Sequence, residues 1–336
     1  MDLLHFEDFP VGLVREFGAW EVKADDIVAF ARDFDPQPFH LDDAFARSTM
    51  FGGLAASGWH TGSIMMRLNC DDWTLRAASM GGPGVEEMRW LAPVRPGDVL
   101  RCRLKVTDAR VSRSRPEMGL VSMSQELATQ TGDVVAKMKF TGMLIRRDSS
   151  APIGDEAPRG ERAKAAPLPE PVETNVFGVR GYYEDLVLGA RVEIGSRTFE
   201  REPMIAFARQ WDPQLFHLDD AAAAASHFGK LSASGWLTAS TFMRLWVDNR
   251  KALAAEIDAS GREAPQWGAS PGFRDLRWLK PVYVGDTVSY RTTLIGKRPI
   301  SRPGWAVVNS LNEGFNQDGV KVFEFTGAAL CPMREG

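Results

Sequence analysis

The chain has 336 residues, a formal net charge of −4 at pH 7 and an apolar fraction of 44%. This length suits two domains, and the acidic balance argues against a surface that binds nucleic acid or anionic lipid. The first residues lack the basic patch of a signal peptide, and no apolar run approaches the ~20 residues that span a bilayer. Cys70, Cys102 and Cys331 form no metal-binding pattern, so we expect a cytoplasmic protein without a metal site.

The first half predicts two helices followed by strands. Apolar spacing indicates a helix over residues 24–32, which Asp35-Pro36 should end because the residue before a proline avoids the α region. Ser57 is a suitable N-cap for a helix over residues 59–68. Strand-like runs separated by turn residues follow at 85–91, 99–106, 120–128 and 134–145.

The second half repeats the first. Residues 29–44 and 206–221 are identical at thirteen of sixteen positions, with a constant offset of 177. Further along, Arg89-Trp90-Leu91 corresponds to Arg277-Trp278-Leu279, where the offset is 188. The second copy has therefore gained about eleven residues, which we place within 248–271 and which could reshape a pocket. The chain is a duplication of one unit.

This repeat predicts an α+β fold in two domains, 1–147 and 175–336. Between them, residues 148–174 are rich in proline, alanine and charge and predict an extended, exposed linker. In each copy an antiparallel sheet should wrap its own central helix. A single copy leaves one sheet edge open, and edge-to-edge pairing of the two copies would close it.

Two of the five histidines occupy equivalent positions, each five residues after an aspartate. These pairs are Asp35 with His40 and Asp212 with His217. A carboxylate and an imidazole on one short turn can both reach a single water molecule, which suits the addition of water to a double bond. The alternative is a structural turn with a capping aspartate, and duplication would preserve such a turn too.

The residues around the pair resemble a known family. Asp35, Gln37, Pro38, Phe39 and His40, followed by Gly58 at the start of the central helix, are similar to the signature of MaoC-like (R)-specific enoyl-CoA hydratases. The second copy keeps this pattern except that Leu215 replaces the proline. The resemblance implies two hot-dog domains paired as a double hot dog. It also implies reversible conversion of a trans-2-enoyl-CoA to a 3-hydroxyacyl-CoA, with CoA as part of the substrate and no separate cofactor.

The resemblance also implies roles for individual residues. Asp35 with His40, and Asp212 with His217, would hold the catalytic water, and which member takes the proton stays open. The amides of Gly58 and Gly235 would stabilise charge on the thioester oxygen. Two further features belong to this comparison: supporting serines at Ser63 and Ser240, and a departure at Ser57 and Ser234, where short hydratases often have histidine. This departure leaves the substrate open.

Other residues carry less weight. We expect His60 to be a packing or pocket residue, and Arg67 and Arg244 to form surface ion pairs. The apolar residues of the central helices should belong to the core: Met65, Met66, Phe242 and Met243. The acidic pairs Asp42-Asp43 and Asp219-Asp220 are expected to be solvated, without a metal.

Alternative functions are a hot-dog acyl-CoA thioesterase and a catalytically silent acyl-CoA-binding protein. The acyl group, the number of active sites and a homo-oligomer of double hot dogs also stay open. Because Pro38 stiffens the first turn, we expect the first site to be the more active.

Overall fold

The computed structural model describes residues 2–148 and 167–334. Most of the predicted linker, residues 149–166, lies outside the described residues, and residues 167–174 are largely exposed. The first half contains β1 Val14–Glu21, α1 Ala24–Phe34, α2 Asp43–Arg47, α3 Gly58–Asp72, β2 Gly84–Trp90, β3 Val99–Val111, β4 Met118–Ala128 and β5 Val134–Ile145. The second half contains α4 Val176–Arg180, β6 Arg191–Thr198, α5 Arg201–Trp211, α6 Asp220–Ala225, α7 Gly235–Ala259, β7 Gly272–Trp278, β8 Thr287–Pro299, β9 Trp305–Phe315 and β10 Lys321–Pro332.

All ten of these strands form one antiparallel sheet in the order β1-β3-β4-β5-β2-β7-β10-β9-β8-β6. The two halves meet where β2 pairs with β7, with Val85 opposite Leu276. This confirms the expected edge-to-edge pairing, and the fold is a double hot dog of class α+β.

Glycine permits the close approach of the two central strands. Gly272 has a φ of 140°, and a Cβ there would lie 2.0 Å from the carbonyl oxygen of Met88. A Cβ on Gly84 would lie 2.0 Å from the carbonyl oxygen of Leu276. Both positions therefore require glycine for the two halves to pair in this register.

The central helices α3 and α7 share one core. The hydroxyl of Ser57 accepts a hydrogen bond from the amide of Trp59 and caps α3, and Ser234 caps α7 in the same way. The rings of Trp59 and Trp236 pack edge to face at 6.4 Å, and one cluster of buried side chains spans both halves. Burial of this shared apolar surface holds the halves together.

The predicted elements are present with shifted ends. Helix α3 extends four residues beyond the predicted end, to Asp72, and β3 continues to Val111. The alternation that predicted β3 stops near a register shift between Val106 and Asp108, after which the strand is more exposed. The extra residues of the second copy lengthen α7 to 25 residues, compared with 15 in α3.

Candidate active site

The chain turns sharply after α1 and places Asp35 beside His40. Asp35 ends the helix, and a single 3₁₀ turn, Pro38–His40, brings the imidazole back toward it. Asp35 Oδ2 lies 3.5 Å from His40 Nε2, and the two residues are only 2% and 4% exposed. The two predicted residues therefore form one buried acid–base pair.

Three neighbours fix the orientation of this pair. The hydroxyl of Ser57 donates to Asp35 Oδ2 at 2.6 Å, and the side-chain amide of Gln37 donates to Oδ1 at 2.9 Å. His40 Nδ1 lies 2.6 Å from the carbonyl oxygen of Ala55, which can only accept. Nδ1 therefore carries a proton, and Nε2 is the ring nitrogen that faces Asp35.

The second half reproduces this arrangement. Asp212 Oδ2 lies 3.5 Å from His217 Nε2, and the hydroxyl of Ser234 donates to the same oxygen at 2.7 Å. Gln214 donates to Asp212 Oδ1 at 2.9 Å, and His217 Nδ1 donates to the carbonyl oxygen of Ser232 at 2.8 Å. The exchange of proline for the exposed Leu215 leaves the separation of acid and base unchanged.

One neighbour distinguishes the two pairs. The thiol of Cys70, on α3 of the first half, lies 3.7 Å from Oδ1 of Asp212. The equivalent position on α7 is Val247, which has no donor. Burial and the nearby Asp212 carboxylate raise the pKa of Cys70, so its sulfur stays protonated and can donate weakly.

The predicted glycines stand at the starts of the central helices. A Cβ on Gly58 would lie 2.4 Å from the ring of Trp90, and one on Gly235 would lie 2.3 Å from the ring of Trp278. Only glycine allows these indoles to pack against the helix start. First-turn amides of a helix have no intrahelical partner, and both glycines line a cavity that also contains the acid–base pair.

The two serines further along these helices lie within the helix packing. Ser63 is fully buried and donates to the carbonyl oxygen of Trp59 at 2.9 Å. The hydroxyl of Ser240 is buried and has no hydrogen-bond partner among the described residues. The structure thus brings Asp35, His40 and Gly58 together around one cavity and places Ser63 inside the helix layer.

Each cavity is built from both halves. The cavity at Asp35 has a volume of about 380 Å³, and its lining includes Phe242 and Met243 of α7. The cavity at Asp212 has a volume of about 270 Å³ and includes Met66 of α3. Phe242 belongs to the buried core, and Met66 and Met243 pack against it, as expected; all three side chains also line a cavity, whereas Met65 is fully buried.

The added segment of the second copy borders the first site. Arg250 and Leu253, in the extended part of α7, and Trp267, in the following loop, all line the cavity at Asp35. The segment thus shapes the pocket of the first half, because residues of each central helix line the cavity of the opposite half.

The helical arginines Arg67 and Arg244 form ion pairs with Asp71 and Asp248, at 2.8 and 2.7 Å, as expected. Each also binds backbone carbonyls of the opposite half. His60 is 1% exposed and stacks on Phe30 at 4.6 Å. Burial lowers the pKa of His60 to about 3, so it is a neutral packing residue.

Sequence reasoning missed the contacts of Ser57 and Ser234. It treated both as helix caps and as departures from a family pattern, whereas their hydroxyls also donate to the carboxylates of Asp35 and Asp212. Their repetition directly before the glycine in both copies was the available signal. The arginines that line the first cavity, Arg180 and Arg250, had no counterpart in the repeat and gave no such signal.

Comparison with known proteins identifies the family. The family model described as "MaoC like domain" matches residues 11–127 and 187–312, which is most of the chain. The chain belongs to the MaoC-like family. A MaoC-like relative, the 3-hydroxybutyryl-CoA dehydratase of Methylorubrum extorquens, is 28% identical over 141 residues, which cover 40% of this chain and 85% of that protein.

Solved structures support the MaoC-like fold over the full length. A putative MaoC domain dehydratase from Chloroflexus aurantiacus superimposes with a TM-score of 0.80 at 18% identity, covering 99% of this chain and 98% of that one. RV0216 of Mycobacterium tuberculosis, described as a double hot dog, gives 0.68 at 16% identity, covering 98% of each chain. At these identities the likeness shows the fold.

The described residues contain neither a metal-binding cluster nor a membrane-spanning helix. Within the described ranges, no group of three or more His, Cys, Asp or Glu side chains is arranged to hold a metal ion. The acidic pairs serve other roles: Asp42 caps α2, Asp219 caps α6 and Asp220 pairs with Arg201. No helix in residues 2–148 or 167–334 has the length and apolar character needed to cross a bilayer.

Proposed function

We propose that this MaoC-like protein catalyses the reversible addition of water to a trans-2-enoyl-CoA, giving a 3-hydroxyacyl-CoA. The observation that carries the proposal is the buried acid–base pair, 3.5 Å apart, in a cavity that also contains a helix start. The matched relative from Methylorubrum extorquens bears the name of an enzyme that dehydrates an acyl-CoA.

In this mechanism one water molecule binds between Asp35 and His40. Because His40 Nδ1 donates to Ala55, its Nε2 accepts a proton as the water oxygen bonds to C3 of the substrate. The electron pair of the double bond moves toward the thioester oxygen, where the amide of Gly58 and the α3 terminus stabilise negative charge. The acid–base pair of Asp35 and His40 then returns the proton to C2, so that one water molecule is added in total.

The proposed chemistry uses no metal, redox cofactor or covalent enzyme intermediate. Asp35 holds the water and complements the positive charge that forms on His40. The second site has the same parts in Asp212, His217 and Gly235. We also propose that the protein works on acyl-CoA in the cytoplasm, as part of fatty acid metabolism.

The decisive experiment follows the absorbance of an enoyl-CoA and the release of free thiol together. Hydration removes the absorbance of the conjugated thioester without releasing thiol. Thiol release would instead identify a thioesterase, and binding without either change would identify a silent acyl-CoA-binding protein. The rate should be unchanged after treatment with EDTA, and a loss that zinc or magnesium restores would contradict the metal-free mechanism.

A further inference from the structure

Two arginines of the second half line the first cavity. Arg180 ends α4 and Arg250 lies in the added length of α7, and both border the cavity that contains Asp35 and His40. A ligand that fills this cavity would therefore touch the acid–base pair of one half and the guanidinium groups of the other.

Aromatic rings hold the arginines in place. The guanidinium carbon of Arg250 lies 4.3 Å from the ring centre of Trp246 and 4.0 Å from that of Trp267. Arg180 lies over the same Trp267 ring at 5.4 Å. Cation–π contacts stabilise a guanidinium and fix its plane, and they leave its N–H groups available to a ligand.

Several of those N–H groups have no protein acceptor. Nη2 of Arg250 and both Nε and Nη1 of Arg180 are buried without a hydrogen-bond partner among the described residues. Burial lowers the pKa of Arg180 to about 10 and lowers that of Arg250 well below its usual value. Arg180 acts electrostatically on Arg250 and Cys331 acts on both arginines, and no carboxylate of the described chain is among these groups.

Cys331 does not supply a counter-charge. It is fully buried, and burial raises the pKa of its thiol to about 12, so the sulfur is neutral near pH 7. Two adjacent cations with unsatisfied donors are costly to keep out of water. Such a pair is an anion site whose anion arrives with the ligand.

We propose that the first cavity binds an acyl group that ends in a carboxylate, and that Arg180 and Arg250 bind this carboxylate while Asp35 and His40 face the double bond. This inference rests on the proposed function, since it names the substrate class of the same site. The ligand is then the CoA thioester of a short dicarboxylic acid. A planar carboxylate matches the donor fork of a guanidinium.

A phosphate group of CoA would supply the same anionic oxygens, but the surroundings favour a carboxylate. The unpaired nitrogens are buried beside indole rings, where a singly charged, planar group costs less to desolvate than a phosphate. The cavity volume of about 380 Å³ is near the lower end of ligand pockets, roughly 300–1,000 Å³, which suits a short acyl group.

The second cavity lacks this feature. Trp73 occupies the position equivalent to Arg250, and its indole N–H donates to Asn69. No arginine is among the described residues that line this cavity, and its lysine, Lys280, is exposed. The two sites therefore combine the same acid–base pair with different acyl pockets, which contain two arginines in the first site and none in the second.

The test compares binding of succinyl-CoA and butyryl-CoA, two saturated four-carbon thioesters that differ in the terminal carboxylate. Neither can be hydrated, so calorimetry on the full chain tests the pocket whether or not the protein is a hydratase. For the unaltered protein we expect tighter binding of succinyl-CoA at one site. Arg250→Met and Arg180→Met should each weaken succinyl-CoA binding about 10- to 100-fold and change butyryl-CoA binding less than about 3-fold.

Four controls separate the outcomes. Lys280→Met, in the second cavity, should leave succinyl-CoA binding unchanged, and Arg250→Lys should retain part of it. The melting temperature of Arg250→Met should not fall, because the variant removes a buried, unpaired charge, so a large fall would indicate a structural role and overturn the proposal. Equal weakening of both thioesters, absent with the corresponding pantetheine thioesters, would assign the arginines to a CoA phosphate instead. If the carboxylate preference holds but no enoyl-CoA is hydrated, the proposed function fails and the pocket assignment stands.

Discussion

Nη1 of Arg244 lies 2.8 Å from the carbonyl oxygen of Arg32, so a side chain of the second half binds the end of the helix that leads into Asp35. The same relationship occurs in reverse, because Arg67 of the first half donates to the carbonyl oxygens of Arg209 and Gln210 at 3.1 Å. Helix C-terminal carbonyls lack intrahelical donors, and a guanidinium satisfies them well. Each half therefore positions the aspartate of the acid–base pair of the other half.

Exchange of either arginine should impair the site of the opposite half. We expect Arg244→Met to lower kcat at the first site by about 10- to 100-fold with little change in KM, since the residue positions Asp35 without touching substrate. Arg67→Met should do the same at the second site. To isolate one site, the Arg244 variant is assayed together with Asp212→Asn, and the Arg67 variant together with Asp35→Asn. Asp248→Asn, which breaks only the ion pair to Arg244, is the control, and an equal loss in that variant would contradict the positioning role.

Ser57 should matter both for stability and for rate. Ser57→Ala removes a helix cap and the donor to Asp35 Oδ2, so we expect the free energy of unfolding to fall by about 1–3 kcal/mol and first-site kcat by about 10-fold or more. Ser63→Ala is the matched control, because that hydroxyl donates within its own helix. Urea unfolding and initial rates measure the two effects. A loss of rate in Ser63→Ala as large as in Ser57→Ala would show that the more distant serine supports the site equally.

The sequence was informative where the determinants are local. Asp35-Pro36 correctly marked the end of α1, and the repeat correctly paired Asp with His in both halves because the whole turn is copied. The sequence did not show which residues face each Asp–His pair. Arg250 is 215 positions away from Asp35 and reaches the Asp35 cavity only through the pairing of the two halves. A periodic pattern shows that a helix is buried, but not which half's cavity it borders.

His60 should make the protein less stable in acid. In the folded chain its pKa is lowered to about 3 by burial, whereas in the unfolded chain it titrates near the usual value of about 6.5. The unfolded state therefore binds more protons between these values, and stability falls as pH decreases, by about 1.4 kcal/mol per pH unit from this group. His60→Leu, which copies Leu237 of the second half, should remove this dependence. Urea unfolding at about pH 7 and about pH 4.5 measures it, and identical acid sensitivity in both proteins would contradict the assignment.

Cutting the chain between the halves should leave one particle. With a specific protease site inserted within residues 148–174, we expect complete cleavage and co-elution of both fragments on size exclusion, because β2 pairs with β7 and α3 packs on α7. Fragments should separate only in denaturant, and the cut protein should keep its activity because each cavity contains residues of both halves. Separation in native buffer would mean that the halves are independent domains.

The last prediction concerns which site carries the main activity. Both pairs have the same separation of 3.5 Å, so geometry alone permits two active sites. The two carboxylates differ in one neighbour. The thiol of Cys70 can donate to Asp212, whereas Val247, at the equivalent position of the second half, has no donor for Asp35. The first cavity is also larger. We therefore expect the first site to dominate on the best substrate.

The near-isosteric exchanges Asp35→Asn and Asp212→Asn, alone and together, test this directly. Loss of an acid–base group should cost about 100- to 10,000-fold at its own site. Asp35→Asn should thus remove most of the rate on the best substrate, and Asp212→Asn should remove less. Asp25→Asn, an exposed change on the same helix as Asp35, is the control and should leave the rate unchanged. The opposite ranking would make the second site dominant, and full activity in the double variant would overturn the Asp–His assignment, because no water held by either pair could then be the reacting one.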